Sequence, residues 1–331
     1  MAIMTPAFIG IDWGTTHRRA ALIATDGTLV SERADGEGAL ACKGRFRASL
    51  QALIAGWPGA DPALPVVMAG MVGSAIGWQA VPYLDGETPL ADLARHLVHV
   101  AEAPAGRRWV IAPGYCLKGA TPGEVDVMRG EETQLFGALR LLGAGASDGC
   151  YVLPGTHSKW VRLRAGRIAE LRTYMTGELF ALLRQHGTLA SAMQAVDADP
   201  ASGPRPAPDS AARVRHDSVA DAPEFLRGVA DAAAGPVLTH ALFGARARVV
   251  TGALAPSAAA AYVSGLLIGA EWADAQRLAS RDEPVRVIGE PALAALHAAC
   301  AHHHGRRLES LDARQIQLAA WRALATEDLP T

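Results

Sequence analysis

Two stretches about 140 residues apart follow one pattern, and this limits the folds open to the chain. Residues 11–18 read Ile-Asp-Trp-Gly-Thr-Thr-His-Arg, and residues 153–160 read Leu-Pro-Gly-Thr-His-Ser-Lys-Trp. In each, an apolar strand enters a Gly-Thr turn with small hydroxyl residues, and a basic residue opens a return strand. A repeat at this distance is too long for a solenoid unit. It implies two related lobes, each opening on a hairpin and facing the other across a cleft. A chain of 331 residues suffices for two such lobes and their cores.

The rest of the pattern fills in this frame. Strands are expected at residues 8–12, 18–24 and 28–33, with Asp26-Gly27 as the turn between the last two. A helix at 45–54, a strand at 66–69, a polar helix at 90–100, a strand at 109–112 and a helix at 131–142 follow. The second half opens with strands at 151–153, 159–163 and 167–173, the last two joined at Ala165-Gly166. Helical patterns come next, interrupted by a Pro/Ala-rich stretch at 197–209 that reads as an exposed loop. An almost wholly apolar helix at 256–278, a strand at 285–288, a helix at 291–302, a strand at 307–311 and a final helix at 312–325 complete the chain. Hairpins followed by helix–strand alternation predict an α/β fold, each lobe a mixed sheet with flanking helices. The expected division is a first lobe at 1–145, a second at 146–311, and a last segment, 312–331, returning to the first. A hinge is expected near 142–148.

Several function classes are disfavoured. Lys and Arg number 31 against 33 Asp and Glu, a formal charge of −2, so no net basic field advertises nucleic acid. The start lacks the basic and long apolar segments of a secretory leader, and the longest apolar runs are too short for a bilayer span. These features predict a cytoplasmic protein with no membrane partner. Cys42, Cys116, Cys150 and Cys300 are scattered without CxxC spacing. His302, His303 and His304 would diverge by about 100° on a helix, so they read as a solvated helix end rather than a metal site.

The duplicated turns suggest phosphate. A glycine there lets backbone N–H groups approach a ligand, and threonine hydroxyls add donors. One such turn says little; two from opposite lobes are suited to gripping the terminal phosphates of a nucleotide. Asp12, just before the first turn, suits a hydrated Mg²⁺, with turn capping as the alternative.

Beyond these features, the sequence resembles the 2-dehydro-3-deoxygalactonokinase family, within the two-lobed actin/hexokinase/Hsp70-like ATPases of ribonuclease H-like fold. The matching stretches are residues 11–20 (IDWGTTHRRA), 67–78 (VMAGMVGSAIGW), 82–84 (PYL), 127–137 (VMRGEETQLFG), 153–161 (LPGTHSKWV), 175–179 (MTGEL) and 262–271 (YVSGLLIGAE), spread over almost the whole chain. The resemblance implies ATP-dependent phosphorylation of 2-dehydro-3-deoxygalactonate to its 6-phosphate, with ATP and Mg²⁺ as cofactors and a small sugar acid as partner. It implies phosphate contacts from Gly14, Thr15 and Thr16 and from Gly155, Thr156, His157, Ser158 and Lys159. It places adenosine at Gly289, Glu290 and Pro291. Pro154 departs from the wider superfamily, where an acidic residue is common, and leaves more of the metal duty to Asp12.

The same resemblance implies a catalytic carboxylate near the helix start at 131, where the helix dipole favours anions. Glu131 is the expected base and Glu132 the second choice, while simple complementation of the dipole remains the alternative. Arg19 and Arg129 are candidates for gripping the substrate's carboxylate. Gly70, Met71, Val72, Gly73 and Ser74 form a second glycine-rich turn expected on the sugar side. Trp78 is read equally as a wall of that site or as core, and Gly177 and Glu178 are expected to approach the sugar from the second lobe. Competing readings are a kinase for another 2-keto-3-deoxy sugar acid, a phosphohydrolase of the exopolyphosphatase type, and a non-catalytic actin-like assembly. A homo-oligomer is left open.

Overall fold

The computed structural model describes residues 5–119, 123–194 and 222–326. The expected loop at 197–209 therefore lies outside the described residues. The chain divides into two compact units: residues 1–148, 163–171 and 312–331 form the first, and 149–162 with 172–311 form the second.

The first unit begins with β1 (Pro6–Trp13), β2 (Arg18–Ala24) and β3 (Leu29–Asp35), and continues with α1 (Phe46–Ala55), β4 (Val66–Gly70), β5 (Val98–His99) and β6 (Trp109–Ile111). A hairpin, β7 (Tyr115–Lys118) and β8 (Val125–Met128), precedes α2 (Glu131–Leu142). The main sheet has the order β3-β2-β1-β4-β6-β5. Its first three strands are antiparallel, whereas β4 and β6 continue parallel to β1. β1 is nearly all apolar because both of its faces are covered: Ile9, Ile11 and Trp13 are buried with Phe46, Leu50 and Leu53 of α1.

The second unit carries β9 (Gly149–Leu153), most of β10 (Ser158–Arg164), the end of β11 (Arg167–Tyr174), whose residues 167–171 are grouped with the first unit, α3 (Thr176–Gln185), α4 (Gly187–Gln194), α5 (Pro223–Ala233), α6 (Leu238–Val250), α7 (Pro256–Ala275), β12 (Val285–Gly289), α8 (Pro291–His303) and β13 (Leu308–Asp312). Its sheet order, β11-β10-β9-β12-β13, repeats that of β3-β2-β1-β4-β6, with β12 parallel to β9 as β4 is to β1. The duplicated hairpins are thus the visible part of a duplicated mixed sheet. α9 (Ala313–Thr326) belongs to the first unit, where Trp321 occupies the space that a side chain at Gly10 would need.

Two expectations need correction. Residues 90–96 form a 3₁₀ helix rather than an α-helix, and β5 follows at once. The buried positions there, Leu90, Leu93 and Leu97, suit three residues per turn as well as 3.6, and Leu97 is already extended. The β7–β8 hairpin was not expected at all. Among the described residues no helix is long and apolar enough to cross a membrane.

The glycines of the 262–271 motif have a packing cause. A Cβ on Gly265 would fall on the Phe225 carbonyl oxygen, one on Gly228 would fall on the Tyr262 carbonyl oxygen, and one on Gly269 would lie 2.9 Å from the Val229 Cα. α5 and α7 therefore touch backbone to backbone. In an exposed helix, Gly→Ala gains about 1 kcal/mol. Here the obstacle is backbone, so Gly265→Ala is expected to destabilise by about 1–3 kcal/mol. Urea denaturation followed by circular dichroism checks this, and a stabilised variant would refute the close packing.

Candidate functional site

In the first unit, the site begins where β1 ends. The strand pairs Asp12 with Arg19 of β2 and with Ala69 of β4. Asp12 keeps some exposed surface, but its carboxyl group is enclosed, and that burial raises its pKa above the ordinary carboxylate value while Arg19 opposes the rise. No hydrogen bond is seen to reach this carboxylate among the described residues. Of the two neighbouring arginines, Arg18 turns inward, 3% exposed, to bond Asp35 at 2.7 Å and Ser49 at 3.0 Å, while Arg19 is exposed.

The turn after Asp12 is held from behind. The Gly14 N–H donates to the His17 carbonyl at 2.9 Å, leaving Thr15 and Thr16 exposed. The N–H groups of Ala39 and Leu40 donate to the Gly14 and Thr15 carbonyls at 2.9 and 3.1 Å. Gly38 lies so close to the Thr15–His17 backbone that a Cβ would overlap it. Sequence reasoning missed this brace, although the closely spaced Gly36 and Gly38 were a visible signal.

Three motif stretches meet at Gly70. Its φ of 88° is open to glycine, and a Cβ would come within 2.8 Å of the Trp13 carbonyl oxygen and 3.3 Å of Asp12 Oδ1. Gly130, with φ of 117°, abuts it: a Cβ on Gly130 would lie 3.4 Å from the Gly70 Cα. Asp12 and the start of α2 thus face the same small patch of backbone. The Gly130 N–H donates to both oxygens of Glu132, at 2.9 and 2.7 Å, and the Arg129 N–H donates to Glu131 Oε2 at 3.1 Å. Glu132 is fully buried, and Glu131 is partly exposed. Burial first, and the Glu131 carboxylate second, push the Glu132 pKa up to about 8.

Arg129 lies beside them. Its Nη2 donates to the Val81 carbonyl at 2.7 Å, and its guanidinium sits 4.2 Å from the centre of the Tyr83 ring. Its Nε and Nη1 are buried with no hydrogen-bond partner. Gly73 makes room for it, since a Cβ there would lie 2.9 Å from Nη1. Of the other turn residues, Ser74 Oγ donates to the Met71 carbonyl at 2.8 Å, while the Val72 side chain is buried and Met71 packs against the core. Trp78 is partly buried: it stacks on Phe46 at 6.2 Å and packs against Trp109 at the edge of the core.

In the second unit, Gly155, Thr156 and His157 are exposed at the hairpin tip, but Ser158 and Lys159 are not. The Ser158 hydroxyl points inward to Glu271, and Lys159 Nζ donates to Thr173 Oγ1 at 2.9 Å. Both residues were expected to contact phosphate; their side chains are directed into the protein because β10 buries the first residues after the turn. His157 Nε2 and Glu178 Oε2 lie 2.5 Å apart, and the Glu178 N–H donates to the Thr156 carbonyl at 2.9 Å. Gly289, at the end of β12, packs on Pro154, where a Cβ would come within 2.8 Å of its ring. Glu290 then caps α8, and Pro291 opens it. Among the described residues no group of three or more His, Cys, Asp or Glu side chains is arranged to hold a metal ion.

Two sheets of one topology, each led by a Gly-Thr hairpin, place the chain in the α/β class with a duplicated mixed sheet. A family model described as 2-keto-3-deoxy-galactonokinase matches residues 12–324. The chain belongs to that family. It is 32% identical over 319 residues, 96% of either chain, to a Rhizobium meliloti protein provisionally named 2-dehydro-3-deoxygalactonokinase. It is 33% identical over 293 residues, 88% of either chain, to the 2-dehydro-3-deoxygalactonokinase of Escherichia coli K12. A crystal structure of a Sinorhizobium meliloti protein with the same provisional name superposes with a TM-score of 0.81 at 32% identity, covering 96% of this chain and 95% of that one.

The raised Glu132 pKa has a consequence for stability. The native state keeps a proton that the unfolded chain releases near 4.5, so stability present below that pH is lost as pH rises towards about 8. Denaturant midpoints measured between pH 4.5 and 8.5 should show this fall in the wild type and a flatter profile in Glu132→Gln. Equal slopes in the two proteins would contradict the assignment.

Proposed function

We propose that the enzyme transfers the γ-phosphoryl group of ATP to the 6-hydroxyl of 2-dehydro-3-deoxygalactonate in the cytoplasm. The observation that carries this reading is the meeting of Asp12, Gly70 and Gly130 beside Arg129, whose positive charge and unsatisfied Nε and Nη1 suit an anionic group. A sugar acid supplies that group.

The exposed turn that Gly14 permits, with the hydroxyls of Thr15 and Thr16, receives the nucleotide's phosphates. The exposed tip at Gly155–Thr156 gives a second grip, and the Gly289–Pro291 bend receives the adenosine. Glu131 accepts the proton of the attacking hydroxyl as the new O–P bond forms and the bond to the β-phosphate oxygen breaks, releasing ADP. Glu132 holds the Gly130 turn, on which the Glu131 position depends. An enclosed carboxylate without a hydrogen-bond donor fits a hydrated Mg²⁺, so Asp12 would hold the ion, which neutralises developing phosphate charge. Arg129 orients the sugar through its acid end, which keeps the reacting hydroxyl at a fixed distance.

ADP release over a panel of 2-keto-3-deoxy sugar acids tests this. The wild type should turn over the galactonate derivative best. Asp12→Ala and Glu131→Gln should each lose about 100-fold or more in kcat. Arg129→Ala should raise the KM for the sugar acid far more than that for MgATP. Normal turnover in Glu131→Gln beside a dead Glu132→Gln would transfer the base to Glu132. Preference for another acid would change the substrate, and activity on polyphosphate alone would replace the kinase reading.

A further inference from the structure

α7 is apolar along most of its length, yet it buries one carboxylate. Glu271 is 2% exposed and accepts three hydrogen bonds. Ser158 Oγ and Trp160 Nε1 donate to Oε1, each at 2.6 Å, and Thr176 Oγ1 donates to Oε2 at 2.6 Å. All three donors are neutral, and no salt bridge to Glu271 is seen among the described residues. These bonds replace the hydration that the Glu271 carboxyl group lost on burial, and each fixes its donor.

The donors come from two separate segments. Ser158 closes the second hairpin turn and Trp160 follows on β10, whereas Thr176 opens α3 in the Met-Thr-Gly-Glu-Leu stretch. The same segments also meet directly. Gly177 lies against the Gly155 carbonyl with no room for a Cβ, and the Glu178 N–H bonds the Thr156 carbonyl. Trp160 is fixed further by an edge contact with Trp272, ring centres 4.9 Å apart, on the same helix as Glu271. Three of the stretches that mark the sequence, 153–161, 175–179 and 262–271, therefore converge on one carboxylate.

We infer that Glu271 is a positioning residue that joins the hairpin at 154–158 and the start of α3 into one unit, so that nucleotide affinity depends on Thr176, a residue outside the hairpin. The inference deepens the proposed phosphate role of this hairpin and rests on it. A glutamine at 271 offers Ser158 and Trp160 one amide oxygen and turns N–H donors towards Thr176, which weakens the link and lets the turn relax. Loss of the Thr176 hydroxyl has the same effect at one remove.

Calorimetric titration of the full-length protein with MgATP, without sugar acid, tests the coupling in wild type, Glu271→Gln, Thr176→Val and the double variant. Urea denaturation of each serves as the folding control. The dissociation constant should rise about tenfold in Glu271→Gln and about threefold or more in Thr176→Val. The double variant should match Glu271→Gln alone, because both changes break one linkage. Lower stability with unchanged MgATP affinity in the folded variants would overturn the inference while leaving the kinase reading intact. If Glu271→Gln fails to fold, unchanged affinity in Thr176→Val overturns it equally. A wild type that binds no MgATP would overturn both readings.

Discussion

The first unit's site depends on a backbone contact, the approach of Gly130 to Gly70 beside the end of β1. Gly70 adopts a positive φ and presses on the Trp13 carbonyl, which sets how deeply Asp12 is enclosed. Gly130, also at positive φ, brings the start of α2 to the same point, and its N–H is held by both oxygens of a buried Glu132. A side chain at Gly70 would collide with the Trp13 carbonyl, and at both glycines the positive φ disfavours any other residue. Position here is set by the absence of side chains, and charge is then added around the gap by Asp12, Glu131 and Arg129.

The electrostatics follow from this geometry. Carboxyl groups taken from water favour the protonated form unless donors or cations compensate. Asp12 meets only the distant help of Arg19, and Glu132 meets a like charge in Glu131, so both are displaced upward. Glu271 in the second unit, also buried, is surrounded instead by three donors. The contrast separates a carboxylate placed to meet an incoming cation from one placed to hold protein together.

Much of the fold was legible in the sequence because it is written in local signals. β2 and α2 lie at the expected residues, since alternation, the Asp26-Gly27 turn and the glycine before Glu131 are short-range features. The 3₁₀ segment at 90–96 was not legible, because Leu90 and Leu93 satisfy either helical period. The β7–β8 hairpin was missed because each strand has only 4 residues. At the site, the glycine turns and the acidic pair could be read. Which of Arg18 and Arg19 turns inward could not, because it depends on Asp35 and Ser49, far along the chain. The inward turn of Ser158 likewise depends on a helix residue 113 positions away. Such links leave no periodic trace, whereas the glycines that permit them do.

In the proposed function the enclosed carboxylate of Asp12 holds a divalent cation. Electron paramagnetic resonance of Mn²⁺·ATP with wild type and with the isosteric Asp12→Asn variant tests that directly. A spectrum distinct from free Mn²⁺·ATP is expected for the wild type, and its loss is expected in Asp12→Asn with the fold retained. An identical bound spectrum in both proteins would contradict the account.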